Sequence, residues 1–119
     1  MTVLGTRPEI IKLSPVLPLL DKYFQQIIVH TGQHYSYELD KVFFEEMGLP
    51  LPRNNLNVGS GTQAYQTGMM IMGIEEIALK EKPDLILVQG DTNTTLAGAL
   101  VAAKLGIPLA HIEAGYRSG

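Results

Sequence analysis

The 119-residue chain has no cysteine. That absence excludes disulfide staples and thiolate nucleophiles, and it fits a reducing compartment. Long apolar runs are missing too. Nothing approaches the roughly 20 residues needed to span a bilayer, and no charged segment at the amino end leads into a signal-peptide core. A soluble, cytoplasmic protein with no membrane partner is the expectation. Positive charge is scarce: nine Lys and Arg against twelve Asp and Glu give a net charge of −3. The cations are scattered rather than striped, so a nucleic-acid partner is not expected. Several motifs are absent as well. There is no G-x-G-x-x-G after the first strand, no phosphate-binding G-x-x-x-x-G-K-[ST], no G-x-S-x-G elbow and no close-spaced set of metal-ligating side chains. Nicotinamide redox, P-loop NTPase, serine hydrolase and metalloenzyme readings all lose their support. Asn93-Thr94-Thr95 matches a glycosylation sequon, a pattern short enough to occur by chance.

What remains is a globular composition, 45% hydrophobic and 18% charged, with one core's worth of chain. Short β-rich runs alternate with longer helical patterns, which predicts parallel βαβ units and an α/β fold: a Rossmann-like parallel sheet with flanking helices. Thr2 to Leu4 is a strand short enough to suggest clipping at the amino end. A helical pattern follows with Ile10, Ile11, Leu13, Val16, Leu17 and Leu20. Gln26 to His30 is a second strand. A helix from about Ser36 to Met47 carries Leu39, Val42, Phe43 and Met47 on one side and stops at Gly48. Asn54 to Val58 is a candidate third strand. Ser60-x-x-Gln63 fits a capping box opening a helix to about Lys82, with Ala64, Thr67, Ile71, Ile74 and Ala78 at helical spacing. Asp84 to Gln89 has the unbroken apolar run of a strand buried on both faces. The helix after it holds Ala97, Gly98, Ala99, Ala102 and Ala103, small enough to lie close against a sheet. Pro108 to Ile112 gives a last strand with no helix after it, so the chain is expected to be part of one domain, 1–119, rather than the whole of it.

Ligands of open parallel sheets bind beyond the carboxyl ends of the strands, near helix N-termini. Four segments fall there: Gly5-Thr6-Arg7-Pro8-Glu9, Thr31-Gly32-Gln33-His34, Gln89-Gly90-Asp91-Thr92 and Glu113-Ala114-Gly115. Each has a plain structural alternative. Asp91 can cap the helix that follows or do chemistry. Thr6 and Glu9 match a capping box, although Pro8 disfavours helical angles at Arg7 and would let the helix start at Pro8 instead. Glu9 and Lys12 can form a surface pair. His34 in a loop is most simply a hydrogen-bonding residue, His111 inside a strand a structural one, and Met69, Met70 and Met72 filler for the core or a subunit contact. Glu113 has no following helix to cap and so points to a ligand. If the last two strands are neighbours, about 5 Å apart, Asp91 and Glu113 share a corner, and repulsion between them would raise one pKa toward acid–base use.

Four segments in order, GTRPEIIKLSPV, TGQHY with FFEEMGL, VQGDTNTTLAGALVAAKLGIP and HIEAGYRS, closely resemble the amino-terminal part of the non-hydrolysing UDP-N-acetylglucosamine 2-epimerases, in an archaeal or thermophilic form. The resemblance covers essentially the whole chain. It implies part of the first of two Rossmann-like domains of a glycosyltransferase-B type fold, usually homodimeric, with the rest of that domain and the second domain outside these residues. It implies reversible epimerisation at C2 of UDP-N-acetylglucosamine by elimination and re-addition of UDP, supplying surface polysaccharide precursors, with no metal or nicotinamide cofactor. Carried over by motif, Asp91 and Glu113 are the acid–base candidates, without a choice between them for the C2 proton. Arg7 and Lys12 line the substrate side. Gln33 and His34 match a loop that helps bind a second, activating UDP-N-acetylglucosamine in bacterial relatives, although the residues just after His34 depart from the bacterial pattern. Tyr116 stands where leucine is more usual. The alternatives are a hydrolysing epimerase, a glycosyl transferase of the same fold, and a non-catalytic βαβ module whose edge charges are caps.

Overall fold

The computed structural model describes residues 1–32 and 34–112. Five parallel strands form one sheet: β1 (Thr2–Leu4), β2 (Ile28–His30), β3 (Asn54–Asn55), β4 (Ile86–Gln89) and β5 (Leu109–Ile112). Their order across the sheet is β3-β2-β1-β4-β5. The chain winds outward from β1 through β2 to β3, then crosses to the other side of β1 for β4 and β5. The direction of winding therefore reverses between β1 and β4, which opens a crevice at their carboxyl ends.

Helices cover both faces. On one side, α1 (Arg7–Leu13), α2 (Leu17–Tyr23) and α3 (His34–Glu46) enclose Leu4, Ile10, Leu13, Leu17, Ile28, Phe44 and Leu87. On the other, α4 (Gln63–Glu81) and α5 (Asn93–Leu105) pack Ile74, Ala78, Ala97, Val101 and Ala102 against Val3, Ile86 and Val88. Successive side chains of a strand point to opposite faces, so Val3 and Leu4 enter different layers. The unbroken apolar run of β4 follows, since Ile86, Leu87, Val88 and Gln89 are all buried. The small residues of α5 do what their size suggests. A Cβ on Gly98 would lie 2.7 Å from Val88 Cγ1, so the helix rests on the sheet at a distance that only glycine permits.

Several local expectations are corrected. The first helical pattern is two helices, broken over Ser14-Pro15-Val16, with Pro18 in the opening turn of α2. Proline restricts both itself and the residue before it, and the apolar spacing simply continues across the break. The first helix begins at Arg7, not Pro8, because Thr6 and Glu9 close a reciprocal capping box. Glu9 is buried rather than part of a surface pair. The apolar side of α3 is not Leu39, Val42 and Met47, which are exposed; its inward face carries Asp40 and Phe44. His34 opens α3 instead of lying in a loop. Thr62, not Ser60, caps α4, its hydroxyl accepting the Tyr65 N–H at 3.1 Å. Of the three methionines, Met70 packs against the core while Met69 and Met72 are exposed.

Candidate functional site

The carboxyl edge is built around β1. Gly5 follows that strand where neighbours crowd it: a Cβ there would sit 2.1 Å from Thr31 Oγ1. Thr31, just past β2, is 3.0 Å from Thr94 in the first turn of α5, so three chain segments meet at one point. Beside it lies the buried carboxylate of Glu9. One oxygen accepts the Gly5 and Thr6 N–H groups at 2.9 and 3.0 Å, and the other accepts the Thr92 hydroxyl at 2.6 Å. Thr92 also accepts the Thr95 N–H, which makes it the cap of α5. One carboxylate thus ties the N-terminus of α1 to that of α5, on either side of the switch point.

Asp91 is therefore not the helix cap; Thr92 holds that place. The Asp91 side chain is exposed, and among the described residues it makes no hydrogen bond or ion pair. Its turn is held by neighbours. The Gly90 N–H donates to the Ile112 carbonyl at 3.0 Å, and His111 Nε2 donates to the Gly90 carbonyl, so His111 is structural as expected. β4 and β5 are adjacent, with Gln89 opposite Ile112. Glu113, the residue after Ile112, lies outside the described residues, as does Gln33.

Arg7 stands at the first position of α1. Its Nε donates to Asp40 Oδ1 at 3.1 Å, and its guanidinium lies 4.6 Å from the centre of the Phe43 ring. Asp40 Oδ2 in turn accepts from His30 Nε2 at 2.8 Å. His30 Nδ1 receives the Gly32 N–H at 3.1 Å, so the ring proton sits on Nε2 and points at Asp40. The Asn55 amide also reaches His30 Nδ1, at 3.2 Å, and the Gly32 carbonyl, at 3.0 Å. Asp40 and His30 were not legible as site residues; a carboxylate at an inward helical position is the only local hint. Lys12 is elsewhere, exposed in the last turn of α1 and about 7.5 Å along the axis from Arg7.

The edge thus carries the partly exposed Arg7 guanidinium and the exposed Asp91 carboxylate, with the N-termini of α1 and α5 already capped by Glu9, Thr6 and Thr92. Among the described residues, no group of three or more His, Asp or Glu is placed to hold a metal ion. Among the described residues, no helix is long and apolar enough to cross a membrane. A separate cleft of about 420 Å³, lined by residues including Asp21, Gln26, Arg53 and Glu81, opens beside the amino ends of β2 and β3, away from this edge.

A family model for UDP-N-acetylglucosamine 2-epimerase matches residues 20–119. The chain is 62% identical over 117 residues to a Methanocaldococcus jannaschii protein named UDP-N-acetylglucosamine 2-epimerase, covering 98% of this chain and 32% of that one. It is 50% identical over 120 residues to a Pseudomonas aeruginosa UDP-2,3-diacetamido-2,3-dideoxy-D-glucuronate 2-epimerase, covering 99% and 34%. A crystal structure of a Methanocaldococcus jannaschii UDP-GlcNAc 2-epimerase in complex with UDP-GlcNAc and UDP superposes with a TM-score of 0.89 at 62% identity, over 98% of this chain and 33% of that one. A Streptomyces glycosyltransferase at 20% identity and a TM-score of 0.53 shares the fold alone, over 93% of this chain and 38% of its own. The chain spans about a third of the length of the curated relatives it matches.

Proposed function

We propose, for a chain that belongs to the UDP-N-acetylglucosamine 2-epimerase family, that the whole protein interconverts UDP-N-acetylglucosamine and UDP-N-acetylmannosamine by inversion at C2. In this reading the 119 residues form most of the first of two Rossmann-like domains, and the crevice between β1 and β4 faces the second. The observation that carries it is Asp91: a carboxylate at the switch point, exposed, and with its capping role taken by Thr92.

The chemistry follows from what C2 inversion needs. A base removes the weakly acidic C2 proton while the C1–O bond breaks and its electron pair leaves with UDP, giving a glycal. UDP then re-adds at C1 as an acid delivers a proton to the opposite face of C2. One carboxylate acts as the base and a second as the acid, and Asp91 with Glu113 supply the two. The Arg7 guanidinium, bound through Nε to Asp40, offers its remaining nitrogens to the departing diphosphate. Lys12, at the far end of α1, serves the substrate side less directly. Gln33 and His34, the latter opening α3, belong to the segment that takes a second, activating UDP-N-acetylglucosamine. The whole protein acts as a cytoplasmic homodimer that provides surface polysaccharide precursors, and the 119 residues alone bind nucleotide sugar weakly without turnover.

The test is Asp91→Asn in the full-length protein. The expected outcome is a fall in kcat of about 10²- to 10⁴-fold with unchanged stability. Wild-type-like release of UDP-N-acetylmannosamine by the variant would refute the assignment. The 50% identity to an epimerase named for a diacetamido-glucuronate supports one second reading, a substrate carrying a C3 amide and a C6 carboxylate. Product analysis with both UDP-sugars decides between them, and appearance of free N-acetylmannosamine would mark a hydrolysing enzyme instead.

A further inference from the structure

We propose that Asp40, aligned by His30, is the positioning residue that aims the Arg7 guanidinium at the diphosphate of the nucleotide sugar; this rests on the reading of Arg7 as a phosphate-binding residue. The surroundings of the Asp40 carboxylate carry it. Asp40 is buried inside α3, where a carboxylate is costly unless both oxygens are bound, and both are: Oδ1 by Arg7 and Oδ2 by His30. His30 is fully buried, and the Gly32 and Asn55 contacts to Nδ1 hold its proton on Nε2, so it acts as a fixed donor to Asp40. The Tyr37 ring packs edge-on against the imidazole at 5.5 Å and is itself anchored by its hydroxyl on the Pro52 carbonyl at 2.8 Å.

The arrangement also has a direction. Arg7 is 44% exposed in its side chain against 9% for Asp40, so the pair has a buried end and an open end. Among the described residues only the Nε of Arg7 is bound, which leaves the terminal nitrogens for a ligand. Phe43 lies beneath the guanidinium plane and removes another part of its freedom. A long flexible side chain is thereby held in one posture at the rim of the crevice before any ligand arrives, which is how a positioning partner raises affinity without touching the ligand.

The experiment uses the full-length protein and UDP itself as the probe. UDP affinity and steady-state kinetics are measured for Arg7→Ala, Asp40→Asn and the double variant. The expected result is a loss in UDP affinity of about tenfold for Asp40→Asn, up to about 100-fold in kcat/KM, with no further loss when Arg7 is already alanine. An equal loss in both backgrounds would overturn the proposal, since Asp40 would then act through something other than Arg7. Unchanged UDP affinity in Asp40→Asn, with Arg7→Ala impaired, would overturn it too. If Arg7→Ala itself binds UDP normally, the underlying reading of Arg7 fails instead. Should Asp40→Asn not fold, Asp40→Glu keeps the charge and shifts it by one methylene. The expected outcome there is weakened UDP binding that Arg7→Ala makes no worse, and wild-type affinity would refute the positioning role.

Discussion

Asp91 and Thr92 are neighbours, and either is a plausible helix cap by residue type, so replacing each in turn separates architecture from chemistry. Thr92→Ala removes two interactions. The first is the cap bond to the Thr95 N–H, long at 3.5 Å and thus at the low end of the usual range, about 0.5 kcal/mol. The second is the 2.6 Å bond to Glu9, a buried carboxylate left one donor short, for which about 1.5–3 kcal/mol is typical of charged groups. Together they predict a loss of about 2–3.5 kcal/mol. Asp91→Ala removes no contact among the described residues, and its backbone φ is not in the left-handed region, so its cost should stay within about 0.5 kcal/mol. Urea unfolding with midpoints and slopes gives both values. Thr92→Ser retains the hydroxyl and should recover most of the loss. Pairing Thr92→Ala with Glu9→Gln should reveal a coupling of about 0.5–3 kcal/mol. An Asp91→Ala variant as unstable as Thr92→Ala would refute the division of labour, and with it the claim that Asp91 is left free for catalysis.

Two further outcomes follow from the fold. Gly98→Ala places a methyl 2.7 Å from Val88 Cγ1 and should destabilise by about 1–3 kcal/mol despite alanine's better helix propensity; adding Val88→Ala should relieve the clash, which thermal unfolding of the two variants would register. The amino group of Met1 is partly buried and donates to the Leu85 carbonyl at 2.7 Å, and its desolvation, opposed more weakly by Asp84, holds its pKa below the ordinary amine value. A lowered folded-state pKa means the unfolded chain binds more protons across that interval, so stability should fall as pH drops from about 8 and level off below the folded pKa; urea midpoints between pH 6 and 9 measure this, and amino-terminal acetylation should abolish the slope.

Local pattern carried much of the fold. β4 was visible as an unbroken apolar run, and α5 as a string of small residues, because burial on both faces and close packing each demand a particular composition. The crossing of the chain from β3 to β4 was not visible, because strand order is set by long-range pairing. The break between α1 and α2 was hidden because apolar spacing persists through Pro15. The face of α3 was misread for a different reason. A buried Asp40 looks like a solvent position until its partners are known, and those partners, Arg7 and His30, lie 33 and 10 residues away. For Glu9 the capping box with Thr6 was legible beside a surface pair with Lys12, but its burial was not, because the hydroxyl it binds, on Thr92, is 83 residues distant. Local reading priced each charge as exposed; the fold supplied the partner that let it be buried.

The same distinction bears on function. Along the carboxyl edge the polar side chains divide by whether the protein itself satisfies them. Glu9, Asp40, His30, Thr31 and Thr94 are buried and bonded to one another or to backbone, and such groups fix geometry. Asp91 is the contrasting case: its capping role is taken by Thr92, and its turn is pinned by Gly90 and His111, so the fold holds the carboxylate in place without using it. A charge at the switch point with no partner among the described residues contributes little to stability and is open to a ligand. Arg7 is intermediate, its Nε spent on Asp40 and its side chain partly exposed. The order of increasing freedom, from Glu9 through Arg7 to Asp91, parallels the proposed order of roles, from scaffold through diphosphate binding to proton transfer.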